Sequence, residues 1–464
     1  MYKLTLLLAV VMLVLGSSVV TEAGVRGPQR IAKDDRNKAF EEFERVLELV
    51  KSGTEDDTAE VKDALSNKKS PFLAMAAVEA VRQGELDKSG SGVVFLPEVL
   101  ALMGEGFDKL HEEEIFTVNV LACLGVLADG DKEATTQVVT ALLDWQKWSE
   151  NSVVRLRHMA ERVLLDLTKE DCAFNADTLV FWEWWVRNQN TAQDPNAADK
   201  PPEKKSKTAP VIFKEPMVGT RVVFVIDVSD SMKWPIEDDD LKAIRKKAPQ
   251  LKLPDGASPM DVAKAELVYS INKLRPDAPT DGKKKGTRRV KDDPEARTFA
   301  ILTYSSEIEV VTKGWVEATD KNCDAWMTKV DEFETQNLTN IDGALRLAFK
   351  LSDKGVDSDE PALDKECVLS GAHTIVFLTD GYPTWSNDSE NQNQPDRWKR
   401  ENQVGDGEYV KAEKLIELLL HLNRFRKVVV NTVGIGNHDK DLMKAFAKHT
   451  GGGYTDWFCK VIYK

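Results

Sequence analysis

The sequence predicts two folded parts: an all-α region over residues 24–188 and a doubly wound α/β domain over residues 217–464. Apolar residues recur at helical spacing in the first part. In the second part, short apolar runs rich in Val and Ile alternate with helical patterns, which is typical of a mostly parallel sheet covered by helices. Residues 189–216, with five prolines and several lysines, predict an extended linker between the two parts.

The first 23 residues predict a secretory signal peptide. One basic residue, Lys3, precedes a mostly apolar run that continues to Val20, and Ala23 supplies a small residue for cleavage. The run is about 17 residues long, which is the lower limit for a membrane-spanning helix. We therefore expect an exported protein with no stable membrane span after signal removal, and an uncleaved signal anchor is the alternative.

Four helical patterns stand out in the all-α region: 39–50, 72–81, 115–127 and 153–167. Comparable alanines in the last three patterns, Ala77, Ala122 and Ala160, are 45 and 38 residues apart. That period favours helix-pair repeats of the HEAT or armadillo type, although an ordinary helical bundle is the open alternative.

An aromatic cluster at residues 181–185 ends the all-α region. On a helix, Phe181, Trp184 and Trp185 can share one face. We expect these rings to close the helical core, with a binding platform for a ligand such as a sugar as the alternative.

Strands in the α/β domain are predicted at 222–227, 298–303, 307–312, 374–379, 428–434 and 453–459. Helices are predicted at 259–274, 323–333, 341–352, 407–422 and 439–449. Only three residues separate the second strand from the third, so these two should form an antiparallel hairpin at one edge. The remaining strands are expected to be parallel.

Polar side chains follow two of the apolar strands. Asp227, Ser229 and Ser231 stand at i, i+2 and i+4 after the first strand, and Asp380 ends another. A third polar segment, which contains Thr339, precedes a helical pattern. Open α/β sheets bind ligands at the carboxyl ends of their strands, so a cation site is expected there. Hydroxyl and carboxylate oxygens suit Mg²⁺, Mn²⁺ or Ca²⁺ better than Zn²⁺.

These segments resemble the metal-ion-dependent adhesion site (MIDAS) of the von Willebrand factor A family. That site is built from Asp-x-Ser-x-Ser, a distant Thr and a distant Asp, and all five positions match here in order: Asp227, Ser229, Ser231, Thr339 and Asp380. The resemblance covers residues 217–464. It implies that the three hydroxyls bind the cation directly and that the two acids orient its waters. A protein partner would then supply a carboxylate as the last ligand.

Two insertions depart from the family pattern, at 233–258 and 384–406. Both leave loops at the metal end of the predicted sheet, where loops decide what binds. The insertions are therefore expected to shape or cover the site. The acidic run Glu237–Asp240 in the first insertion is a candidate internal ligand for the cation.

Five cysteines show no C-x-x-C spacing, which argues against a zinc or redox site. The odd count leaves at least one of them unpaired within the chain. Cys123 lies in an apolar helical pattern and is expected in the core.

Other classes of function are less favoured. A haloacid-dehalogenase-type phosphatase needs a second acid two residues after Asp227, where this chain has Ser229. The formal net charge of −14 argues against nucleic-acid binding.

The predicted function is metal-dependent protein binding without catalysis. The main alternative is a scaffold whose helical region binds the partner while the metal only stabilises the fold, and a Mg²⁺-dependent hydrolase is the weaker one. A second partner on the helical region fits either binding role.

Overall fold

A mixed sheet and a layered group of helices make up the part of the chain that the computed structural model describes. The described residues are 33–86, 92–107, 114–149, 153–190, 201–204, 211–213, 215–276, 296–336, 339–356, 358, 362, 364–382, 411–457 and 459–462. The predicted signal peptide and the insertion at 384–406 lie outside these ranges, as do parts of the predicted linker. Within them, no helix combines the length and the apolar character needed to span a bilayer.

The amino-terminal region is all-helical, as predicted. Its helices are α1 Lys33–Ser52, α2 Glu55–Leu65, α3 Pro71–Leu86, α4 Leu96–Ala101, α5 Glu114–Leu127, α6 Lys132–Ser149, α7 Val154–Thr168 and α8 Leu179–Asn190. Helices α1, α3, α5 and α7 pack side by side and form an inner layer, while α2, α4, α6 and α8 form an outer layer. The described helices of this region therefore stack in two layers.

Helix α5 is apolar on nearly all sides because it is enclosed on nearly all sides. Its neighbours in the inner layer are α3 and α7, and a helix with no polar face is stable only when it is buried. Cys123 in this helix is fully buried, as predicted. All five cysteines of the chain are buried free thiols.

The aromatic cluster in α8 closes the helical core, but with a different set of rings from the predicted one. Phe181, Trp182 and Trp185 are buried, whereas Trp184 is half-buried and packs against Phe181 with ring centroids 5.7 Å apart. The loop before α8 covers Trp182, whose Nε1 donates a hydrogen bond to the Ala173 carbonyl at 2.9 Å. The sequence prediction grouped only the rings that share one face of the helix. It therefore left out Trp182, which packs on another face, under the loop before α8.

The α/β domain contains all the predicted strands within one or two residues. The strands are β1 Val211–Ile212, β2 Glu215–Pro216, β3 Arg221–Asp227, β4 Thr298–Tyr304, β5 Ile308–Val310, β6 Val316–Glu317, β7 Thr374–Thr379, β8 Val429–Ile435 and β9 Tyr454–Trp457. The helices are α9 Asp238–Lys247, α10 Pro259–Lys273, α11 Asp320–Val330, α12 Ile341–Lys350, α13 Lys365–Ser370, α14 Ala412–Asn423 and α15 Lys440–Thr450.

The main sheet has the strand order β5-β4-β3-β7-β8-β9. Strands β4, β3, β7, β8 and β9 are parallel, while β5 and β6 both run antiparallel to β4. The edge strand predicted at 307–312 is thus followed by a second short piece, because Lys313 and Gly314, with φ of 56° and 130°, turn the chain between them. The predicted fold class, a mostly parallel sheet with an antiparallel edge, is confirmed.

Alternate residues of β3 face two separate cores. Val222, Phe224 and Ile226 pack with α9, α10 and α11 on one face, and Val223 and Val225 pack with α12, α14 and α15 on the other. Burial on both faces explains why the strand is a continuous apolar run. It also holds the polar residue at its end in a fixed position.

The short hairpin formed by β1 and β2 belongs to the α/β core. Its residues Ile212 and Phe213 are buried and pack in the core on the α10 side of the sheet. The last part of the predicted linker, residues 211–213 and 215–216, therefore belongs to the folded domain.

The inner helical layer packs against the amino ends of the parallel strands. Phe425, between α14 and β8, lies against Phe40 and Phe43 of α1, with ring centroids 5.1 Å and 6.2 Å apart. Asn119 of α5 donates a hydrogen bond from Nδ2 to the Phe425 carbonyl at 2.7 Å. The carboxyl ends of the strands, where Asp227 and Asp380 stand, are at the other end of the sheet.

Gly219 lies between two histidines in this interface. Its backbone N–H donates to Nδ1 of His158 in α7 at 3.0 Å, and the next N–H, of Thr220, donates to Nδ1 of His373 at 3.1 Å. With φ of 75°, and with a Cβ that would come within 2.3 Å of the His373 ring, this position requires glycine. Both imidazoles act as acceptors, which only the neutral ring can do at that nitrogen.

Acidification is expected to destabilise this interface. Burial, helped by Arg155, Arg221 and Arg426, lowers the pKa of His373 well below its ordinary value. Below about pH 6.5, the unfolded chain therefore binds more protons than the folded chain. For this group, the free energy of unfolding should decrease by up to about 1.4 kcal/mol for each unit by which the pH is lowered. Urea unfolding at pH 7, 6 and 5 measures the slope. His373→Asn, which keeps an acceptor but does not titrate, should flatten it; an unchanged slope would refute this assignment.

Candidate metal centre

Two neighbouring strands bring the predicted acids to one edge of the sheet. β3 and β7 pair in parallel, with Ile226 opposite Leu378. Asp227 is the last residue of β3, and Asp380 follows β7 directly. Both side chains are enclosed, with Asp227 0% and Asp380 6% exposed. The sheet register therefore accounts for their proximity.

Ser229 and Ser231 connect these two carboxylates through hydrogen bonds. The Ser229 N–H donates to Asp227 Oδ1 at 2.8 Å, and Ser231 Oγ donates to Asp380 Oδ1 at 2.7 Å. The two serine hydroxyls are 3.0 Å apart. A 3₁₀ turn over Asp230–Lys233 directs both serines to the same side. Two hydroxyls and two carboxylates thus converge within one loop and the adjacent strand end.

Thr339 approaches the same point from the segment before α12. The N–H of its neighbour Asn340 donates to the Ser305 carbonyl at 3.0 Å, which fixes this segment to the end of β4. A Cβ placed on Gly381 would lie 3.7 Å from Thr339 Oγ1 and 3.9 Å from Ser231 Oγ. Both hydroxyls therefore face Gly381, and all five predicted residues meet at this edge.

Two residues of the centre were missed by the sequence analysis. Thr379, the last residue of β7, donates from Oγ1 to Asp227 Oδ2 at 2.7 Å and accepts a hydrogen bond from the Gly381 N–H at 3.2 Å. The buried Tyr304 at the end of β4 donates from Oη to the Leu378 carbonyl at 3.1 Å. A polar residue that ends an otherwise apolar strand was the available signal for both.

The electrostatics of the centre favour a cation. Burial raises the pKa of Asp227, and burial together with Asp227 raises the pKa of Asp380 well above its ordinary value. Among the described residues, no Lys or Arg forms an ion pair with either carboxylate. Two enclosed carboxylates without a counter-charge, beside three hydroxyls, form a set of hard oxygen donors that fits a divalent cation.

The other nearby acids have their own partners. Asp230 pairs with Lys233 at 2.9 Å, and Asp342 in α12 pairs with Arg346 at 2.9 Å. Neither acid is among the five ligands expected from the sequence. The described residues also contain no group of three His, Cys, Asp or Glu side chains that could hold a metal, so a metal here depends on the hydroxyls.

The insertion at 233–258 is folded onto the domain. Its helix α9 contributes Leu241 and Ile244 to the core, and Ile236 bridges to Val461 near the end of the chain. In the acidic run, Asp239 pairs with Lys242 at 2.9 Å, and Asp240 accepts a hydrogen bond from the Lys460 N–H at 2.8 Å. These two carboxylates therefore pair with residues outside the candidate metal centre, and not with a cation in it.

The model of the von Willebrand factor type A domain matches residues 220–258 and 290–456. No curated protein matches the chain. Similar solved structures include proximal thread matrix protein 1 from the mussel byssus, at 13% identity over 51% of this chain and 41% of that one, with a TM-score of 0.26. Another structure of the mussel protein has a zinc-occupied MIDAS motif, at 16% identity and a TM-score of 0.25.

Two bacterial structures are also similar. A von Willebrand factor type A protein from Catenulispora acidiphila is 14% identical over 51% of this chain and 38% of that one, with a TM-score of 0.29. An aerotolerance-related membrane protein from Bacteroides fragilis is 12% identical over 51% of this chain and 91% of that one, with a TM-score of 0.25. The chain thus spans about two-fifths of the mussel and Catenulispora proteins. The family match therefore assigns residues 220–258 and 290–456 to the von Willebrand factor type A domain, and the observed strand order agrees with it.

Proposed function

We propose that this chain is an exported, non-enzymatic protein that captures a carboxylate of a protein partner through a divalent cation at Asp227, Ser229, Ser231, Thr339 and Asp380. The observation that carries the proposal is the convergence of two enclosed, unneutralised carboxylates with three hydroxyls at one edge of the sheet. Export rests on the signal-peptide pattern of residues 1–23.

The residues of the centre have distinct roles in this proposal. Ser229, Ser231 and Thr339 offer neutral oxygens directly to the cation, while Asp227 and Asp380 supply charge and orient water. A cation with few charged direct ligands remains electrophilic and can attract a further carboxylate. Mg²⁺ is the cation proposed, with Mn²⁺ and Ca²⁺ as alternatives, because all of them prefer oxygen ligands.

The position of the helical region supports access to the centre. The inner layer covers the amino ends of the strands, so it does not compete with a partner at the carboxyl ends. Tyr382, two residues after Asp380, is 48% exposed and offers an aromatic contact beside the cation. Surrounding side chains of this kind provide specificity, whereas the charge pair provides attraction.

Calorimetry of the full chain with a short glutamate-containing peptide tests the proposal. We expect binding in Mg²⁺ that disappears in chelator, and no binding of the matched glutamine peptide. Thr339→Val removes one proposed ligand at constant volume and should weaken Mg²⁺ binding, whereas Thr136→Val, in the helical region, should not. Equal binding of the two peptides, or binding unaffected by chelator, would rule out the mechanism.

The scaffold alternative makes a different prediction for the same experiment. If the cation only stabilises the fold, Mg²⁺ will bind and raise the melting temperature, but neither peptide will bind. Because the α/β domain already occupies the inner layer, a second partner on the helical region would have to use the outer layer. That surface carries the exposed apolar residues Val94 and Val180.

A further inference from the structure

A second site lies far from the metal centre, in a cavity between the helical region and the α/β domain. Its volume is about 380 Å³, which is within the range of small-molecule sites and has room for about a dozen water-sized groups. Helices α3, α5 and α7 form one side of it, and α14, α15 and the start of β8 form the other. A molecule in this cavity would touch both parts of the chain.

The walls of the cavity carry an excess of positive charge. Three carboxylates line its described part, against six cationic side chains: Arg82, Arg162, Lys169, Arg424, Lys427 and Lys448. One of the carboxylates, Glu79, is shared by two of the cations, Arg82 and Lys427. Arg424 pairs with Glu44, outside the lining, at 3.0 Å. Arg162, Lys169 and Lys448 are therefore the cations of the lining that a bound anion could meet.

Arg162 in α7 is only weakly compensated by the carboxylates around it. Its side chain is 18% exposed, and its nearest ion-pair contact runs from Nε to Asp166 Oδ2 at 3.8 Å, beyond hydrogen-bond distance. The buried Nε and Nη1 atoms have no hydrogen-bond partner. Glu215 is a further carboxylate that acts on it, yet burial lowers the pKa of Arg162 below its ordinary value. A buried donor without an acceptor is costly and uncommon.

Apolar side chains form much of the remaining wall, beside the polar Asn423, His449 and Thr450. Val126, Met159, Val163 and Leu420 contribute to it, and Gly125, in the last turn of α5, leaves space because it has no side chain. A glycine inside a helix costs about 1 kcal/mol relative to alanine. A small-molecule site is typically mostly apolar with a few placed polar groups, which matches this combination.

We propose that this cavity binds a small organic anion whose acidic head group, a phosphate or a carboxylate, lies against Arg162 and Lys448 while its short apolar part packs on α5 and α7. Such a ligand would neutralise the excess charge and join the helical layer to the α/β domain. It would bind the folded chain only, and would therefore stabilise the junction between the two parts.

The test uses inorganic phosphate and succinate as probes on the full chain, with chloride at equal ionic strength as the reference. Calorimetry should show saturable binding of at least one probe. Arg162→Met should weaken it at least about tenfold, as expected for removal of one partner of a part-buried charge pair. Lys448→Gln, at an exposed position, should weaken it about two- to fivefold.

Lys444→Gln is the matched control, since Lys444 lies one turn earlier on α15 and does not line the cavity. It should leave binding unchanged. Preference for phosphate or for succinate identifies the head group, and either result supports the site. Arg162→Met should also keep or raise the melting temperature without probe, because it removes a guanidinium whose buried Nε and Nη1 atoms have no hydrogen-bond partner. The proposal is overturned if neither probe binds, or if Lys444→Gln weakens binding as much as Lys448→Gln does.

Discussion

Replacing Asp380 by asparagine is expected to weaken Mg²⁺ binding by about 10–100-fold or more while raising the stability of the metal-free protein. The amide oxygen can still accept the hydrogen bond from Ser231, so the loop geometry is kept. One of two enclosed negative charges is removed, and the repulsion from Asp227 that raises the pKa of Asp380 is lost with it. Changes of this kind at functional sites commonly stabilise by about 0.5–2 kcal/mol.

Thermal unfolding in chelator and in Mg²⁺ measures both effects at once. Wild type should melt higher with Mg²⁺, whereas Asp380→Asn should show a much smaller increase with Mg²⁺ and should melt above wild type in chelator. Asp230→Asn is the control, because Asp230 lies in the same loop but pairs with Lys233 on the surface. Mg²⁺ binding of wild-type strength in Asp380→Asn would exclude this acid from the metal centre.

Glu79→Ala is expected to destabilise the folded chain by about 3–5 kcal/mol, since it leaves two buried cations without their anion. Glu79 is 2% exposed and contacts Arg82 Nε at 2.6 Å and Lys427 Nζ at 2.5 Å. Burial acts to raise the pKa of Glu79, but the two cations outweigh it and the pKa is lowered overall. The carboxylate is thus held ionised where the helical region meets the α/β domain.

Urea unfolding of Glu79→Ala beside Glu48→Ala measures the effect. Glu48 is an exposed acid on α1, and its removal should change the free energy of unfolding by less than about 0.5 kcal/mol. A triple variant, Glu79→Leu with Arg82→Met and Lys427→Met, should recover much of the loss, because apolar groups can replace a buried ion cluster. Similar, small losses in both single variants would show that the buried cluster does not stabilise the junction.

Strands β3, β4 and β7 were predictable because each is a short, mostly apolar run that ends in a polar residue. Burial on both faces forces that pattern, and β3 and β7 show it most clearly. The helices α2, α4 and α6 were not predicted. They lie in the outer layer, where one exposed face weakens the apolar signal. The period of the inner-layer helices was sufficient to favour helix-pair repeats.

The five candidate ligands were found from their spacing and from a family resemblance, but their supports were not. Thr379 holds Asp227 through a hydrogen bond across two strands, and no local pattern encodes a contact between residues 152 positions apart. The contacts of Asn119 and Glu79 with the α/β domain also join residues that are far apart in the sequence, and no local pattern encodes them either. Long-range pairing is decided by how the parts pack, which periodicity along the chain does not describe.

Attachment of the helical layer at the amino ends of the strands has a mechanical consequence. A pull between a partner at the carboxyl ends and the helical region would run along the strand axes. Strand β3, seven residues long, spans about 23 Å at about 3.3 Å per residue. Its hydrogen bonds to β4 and β7 would then be loaded in shear and would share the tension, whereas a pull across the strands would break them one after another. This geometry would help the domain to resist a pull on the partner that we propose.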